Sequence, residues 1–77
     1  MYILKDNKII LITTLGRNKT YYYFTVSEFN EMPSAENFNP ISQTELKWET
    51  TEHKRIGEIY SYLLTQPEFA GGTLISS

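Results

Sequence analysis

The stretch Thr20-Tyr21-Tyr22-Tyr23-Phe24-Thr25-Val26 constrains this chain more than any other segment. Seven consecutive β-branched or aromatic residues suit a pleated surface and crowd a helix, so a strand is expected here. Alternation along a strand sends Tyr22, Phe24 and Val26 to one face and Tyr21, Tyr23 and Thr25 to the other. One set can be buried under the chain's own helix. The other set then needs a different cover, and the identity of that cover is the functional question the sequence poses.

The flanking segments extend the pattern. Ile9 to Leu15 is strongly β-prone, and its near-continuous aliphatic start predicts a central strand covered on both faces. Asp6 and Asn7 both tolerate the positive φ that a two-residue hairpin requires, so Tyr2 to Leu4 should pair back on that strand. Gly16-Arg17-Asn18-Lys19 reads as a second hairpin turn. Together these give an antiparallel meander over about residues 2–26. Ser27 to Met32 then reads as a helical turn capped by Ser27 and ended by Pro33, followed by a surface loop rich in Pro, Asn and Ser to Ser42. Thr44 to Glu49 alternates polar and apolar, predicting a further short strand near 44–49 with Leu46 and Trp48 on one face. A helix capped by Ser42 and Glu45 is the rival reading, and it places Glu49 and His53 on an apolar stripe.

The clearest helical signal is Ile56, Ile59, Tyr60, Leu63 and Leu64, spaced to share one face. Thr50 or Thr51 would cap it and Gln66-Pro67 would end it, giving a helix over about 51–65 with Tyr62 off the buried stripe. Gly57 lies inside it, and Thr73 to Ile75 can add a last short strand. The expected fold is a small two-layer α+β domain, the meander packed against one C-terminal amphipathic helix.

Seventy-seven residues predict a single domain, 1–77, near the size at which an apolar core alone gives marginal stability. There is no cysteine to cross-link, and the lone His53 cannot build a structural zinc site. The amino terminus lacks the apolar stretch of a secretory signal and no apolar run could span a bilayer, so a cytoplasmic protein with no membrane association is expected. On that reading the acceptor pattern Asn18-Lys19-Thr20 has no use.

Charge is divided along the chain. Residues 1–26 carry Lys5, Lys8, Arg17 and Lys19 against Asp6, a net +3; residues 27–77 carry eight glutamates against Lys47, Lys54 and Arg55, a net −5, which together give the −2 of the whole chain. Such a field can orient partners even when total charge is small.

No catalytic constellation accompanies these features. His53 stands between Glu52 and Lys54 with no positioned partner for proton transfer, the glutamates are scattered, and Gly71-Gly72 lacks the Lys-Ser/Thr of a phosphate loop. No enzyme, cofactor or bound metal is expected. Nucleic-acid binding is one reading, with Tyr21 and Tyr23 stacking bases beside Lys5, Lys8, Arg17 and Lys19; four cations are few, and eight glutamates oppose a polyanion. Protein recognition is the preferred one. Tyr and Trp bury much area with few rotors to freeze, which marks Tyr21, Tyr23, Phe38 and Trp48, with Glu36 and Glu49 as an acidic rim, as candidate partner-binding residues; Tyr22, Phe24 and Tyr60 are assigned to the core.

In size, composition and lack of catalytic residues the chain resembles the general run of small phage or mobile-element accessory proteins. The resemblance implies action by binding a host protein and blocking it by occlusion. Self-association, face to face or edge to edge, would also offset the small core and makes a homodimer a third expectation.

Overall fold

The computed structural model describes residues 1–76. Five strands and one helix follow in the order β1 (Tyr2–Lys5), β2 (Lys8–Arg17), β3 (Tyr21–Phe29), β4 (Ser42–Glu49), α1 (Ile56–Leu63) and β5 (Thr73–Ile75). The strands form one antiparallel sheet in the spatial order β4-β3-β2-β1-β5, with β2 in the centre. The α+β architecture read from the sequence is therefore the observed one, enlarged by β5 pairing on β1.

The first hairpin forms as its residues dictate. Asp6 and Asn7 adopt φ of 52° and 63°, the left-handed pair that matches the twist of the strands they join. The second turn differs from expectation. Gly16 is not in it but in β2, opposite Tyr23, and the reversal is made by Asn18, whose Oδ1 accepts the N–H groups of Thr20 and Tyr21 at 2.9 and 3.0 Å.

Ser27 caps no helical turn. β3 runs on to Phe29 because Glu28 and Phe29 pair with Ile10 and Ile9, and the gain from ladder and burial outweighs a local cap. The buried Ser27 hydroxyl is instead bonded to Thr13 Oγ1 at 2.9 Å and to Gln43 Nε2 at 3.2 Å.

The helix starts later than its capping signals imply. Thr50 N–H still donates to Thr20 C=O as an extension of the β3–β4 ladder, and Lys54 N–H donates to the Tyr22 hydroxyl at 2.7 Å. Residues 50–54 are thus tied across the strand ends, so Arg55 takes the cap position, with its N–H donating to the Glu58 carboxylate three residues on. At the other end α1 stops at Leu63, before Gln66-Pro67. Gly71, at φ +91°, then turns the chain into β5.

Ile59, Tyr60 and Leu63 pack on Ile3, Ile10, Tyr22, Phe24, Val26 and Phe69 to make the core. Each such burial contributes about 1.5–3 kcal/mol against the ordering of the chain. Two helix positions depart from the predicted stripe. Ile56, the first residue of the helix, is 46% exposed. Tyr62 is half-buried, stacked on Trp48 with ring centroids 4.4 Å apart and edge-on to Phe24. No helix is long and apolar enough to cross a membrane among the described residues.

Candidate interaction face

Because side chains alternate, the register of the strands decides which residues lie opposite α1. Tyr21, Tyr23, Thr25, Ser27 and Phe29 of β3 share that far face with Gln43, Glu45, Lys47 and Glu49 of β4, Ile9 and Leu11 of β2, and Tyr2 and Leu4 of β1. A bulge between Ile12 and Thr14 then moves Thr14 and Gly16 onto it as well. The Ile12 N–H beside the bulge donates to the Tyr60 hydroxyl at 2.9 Å on the helix side.

The two ends of the far face differ. At the Phe29 end of β3, Phe38 of the 30–41 loop folds back edge-on against the buried Phe29, centroids 5.2 Å apart, while remaining 51% exposed itself. The loop holds this position through Asn37, whose N–H donates to Ser34 Oγ and whose side chain donates to Glu31. Phe38 therefore covers part of the face and presents its outer side.

At the Tyr21 end, Tyr21 and Tyr23 meet edge to face at 6.1 Å, and Lys47 Nζ lies 4.5 Å from the centre of the Tyr21 ring. Tyr23 is 51% exposed. Its ring crosses Gly16, where a Cβ would collide with it, so the bare glycine is what lets the phenol lie down on β2. Thr14, Tyr21, Tyr23, Thr25, Glu45 and Lys47 line an open groove of about 450 Å³ here.

The sequence-marked residues separate on this frame. Tyr21, Tyr23 and Glu49 are on the far face and Phe38 reaches it from the loop. Trp48 lies on the helix side opposite Tyr22, sandwiched by Tyr62 and by Lys54 Nζ at 5.2 Å from its ring. Glu36 is exposed in the loop. Glu49 sits 3.9 Å from Lys47. Residues the sequence did not mark also shape the groove. Gly16 and Lys47 are the main ones, and both become visible only when β2, β3 and β4 are set in register.

Three of the four basic residues of the first third, Lys5, Lys8 and Arg17, do not join the tyrosines. Lys5 and Lys8 pair on the helix side, where Lys5 Nζ donates to Glu68 C=O. Arg17, also on that side, lies over the Tyr22 ring and donates to His53 Nδ1 at 3.1 Å and to Thr51 C=O. His53 thus serves as an acceptor for a guanidinium that ties the 50–54 segment to β2. Lys54 is held above the ordinary lysine value by its bond to Glu52, against the effect of burial. Burial pushes the Tyr60 phenol up, against the opposing pull of its bond with Ile12 N–H.

No three His, Cys, Asp or Glu side chains are grouped to hold a metal ion among the described residues. Comparisons with protein-family models, curated proteins and solved structures found no match for this chain.

Proposed function

We propose that this chain is a non-enzymatic protein-binding module whose partner docks on the sheet face opposite α1. The observation that carries this reading is the half-exposed Tyr23 ring, laid across Gly16 beside the Tyr21–Lys47 contact, on a face the chain's own helix leaves open. A preplaced aromatic costs little entropy to bury, which is the property of an anchor residue. Glu45 lines the same groove and Glu49 shares its face opposite Tyr21, so a basic patch on a cytoplasmic host protein is the complementary surface, and occlusion of that patch is the mode of action. The separation of Tyr21 and Tyr23 from Lys5, Lys8 and Arg17 favours protein over nucleic acid as the ligand.

Capture from a host lysate, with and without nuclease, tests this against Tyr23→Ala. The expected result is one protein retained after nuclease treatment by the parent and lost with Tyr23→Ala, while the melting temperatures stay close. Salt-sensitive binding to single-stranded oligonucleotides that vanishes in the Tyr21→Ala, Tyr23→Ala double variant would overturn the reading.

A further inference from the structure

The outer backbone edge of β4 borders the far-face groove, and the charges along it select one occupant. β4 ends the sheet, so along Ser42–Glu49 alternate residues turn their N–H and C=O groups away from β3. The phase is fixed by the bond from Thr50 N–H to Thr20 C=O, which continues the register pairing Trp48 with Tyr22 and Leu46 with Phe24. Even-numbered residues therefore bond to β3, and Gln43, Glu45, Lys47 and Glu49 direct their backbone groups outward. The Tyr62 hydroxyl reaches the Lys47 carbonyl at 3.4 Å from the helix side, as an outward carbonyl permits, and the oxygen keeps a second lone pair.

A strand added here antiparallel must oppose these odd-numbered residues. If the strand is a second β4, few twofold registers use its length. Centred on Glu45, the pairing sets Glu45 against its own copy. Centred on Lys47, it sets Lys47 against itself and Glu45 against Glu49. Centred on Leu46, it sets Glu45 opposite Lys47 twice and Gln43 opposite Glu49, with Leu46 on the axis and Trp48 opposite Thr44. Directly opposed unlike charges stabilise a strand pair and like charges destabilise it. Isolated edge lysines usually prevent such pairing. Here Lys47 lies one residue from the axis on one side and Glu45 one residue on the other, so the edge is complementary to itself.

We propose that two copies join through their β4 edges in the register centred on Leu46, making one continuous sheet. The twofold axis is then perpendicular to the sheet and both α1 helices stay on one side. The groove of about 430 Å³ beside each helix, lined by Trp48, Gly57, Ser61 and Tyr62, meets its counterpart across the seam. The far faces merge into one surface, and the Tyr23 anchors remain free.

Sedimentation velocity over a concentration series tests the register by charge reversal. The parent is expected at twice the 9.0 kDa chain mass at tens of micromolar. Lys47→Glu and Glu45→Lys should each shift it to monomer, and the Glu45→Lys, Lys47→Glu double variant should restore the dimer. Tyr23→Ala should leave the dimer intact while losing partner capture, which separates the β4 seam from the Tyr23 anchor. Circular dichroism confirms that each variant is folded. A monomeric parent overturns the proposal, as does a dimer unaffected by either single reversal or a double variant that stays monomeric.

Discussion

The two faces of this sheet are made by the same strands and differ in what meets them. On one side α1 and Phe69 seal Ile3, Ile10, Tyr22, Phe24 and Val26, and the phenols that enter are bonded: the Tyr60 hydroxyl to Ile12 N–H, the Tyr22 hydroxyl to the Lys54 backbone. On the other side Phe29 and Ser27 are buried by a loop and by neighbouring side chains, while Tyr23 and Leu4 stay substantially in water. Alternation supplies apolar residues to both faces, and among the described residues one helix is available to cover them. The face left over is where stability and binding can be assigned to different residues.

The sharpest break of that comparison is Leu63→Ala, which removes a fully buried side chain from the covered face. A loss of about 2–5 kcal/mol is expected, enough to unfold most of so small a domain, and urea titration followed by circular dichroism would show it. A melting temperature equal to that of the parent would mean that α1 does not hold this face. Tyr62→Ala should cost less, about 1–2 kcal/mol, because it strips one ring from the Trp48 stack and from Phe24 at the rim of the core.

Gly16→Ala tests the far face from beneath. The new methyl must lift the Tyr23 ring, costing on the order of 1 kcal/mol, and the ring-current shifts of β2 protons in the NMR spectrum should change with little effect on the core. An unchanged spectrum would show that Tyr23 does not rest on Gly16.

A pH titration sharpens the covered side. The Tyr60 phenol is raised above its ordinary 10.0 in the folded state, so its stabilising effect is fully present below about pH 10 and is lost as pH rises through the folded value. Stability measured by urea midpoint should fall over that alkaline range, and Tyr60→Phe should flatten the fall while lowering stability at neutral pH by leaving Ile12 N–H without its acceptor. The smallest expected effect belongs to Tyr23→Ala, within about 0.5 kcal/mol of the parent. A larger loss would mean that Tyr23 is a structural lid on β2 and not a free anchor.

Local chemistry was enough to place several elements. The Thr20–Val26 run fixed a strand and its two faces, Asp6-Asn7 fixed a left-handed hairpin, and the spacing of Ile59, Tyr60 and Leu63 fixed a buried helix stripe. Each rests on interactions within a few residues, or on a periodicity that any partner surface must respect. Three features depended on distant neighbours. Ser27 looks like a cap until Ile9, Ile10 and Gln43 arrive to pair or bond around it. Thr50 and Thr51 look like caps until Tyr22 and Arg17 tie their segment to the strand ends. Trp48 looks like an exposed anchor until Tyr62 stacks on it.

The same division holds for the candidate site. Sequence alone marked Tyr21 and Tyr23 as sharing a face, because alternation is a local property of extended backbone. It could not show that Gly16 would lie under Tyr23 or that Lys47 would cover Tyr21, since those contacts require β2, β3 and β4 in one register. Nor could it send Arg17 and Lys5 to the opposite side. The bulge at Ile12–Thr14 and the pairing of β1 decide that, and both arise from closing the sheet around one helix, a choice made by the whole chain at once.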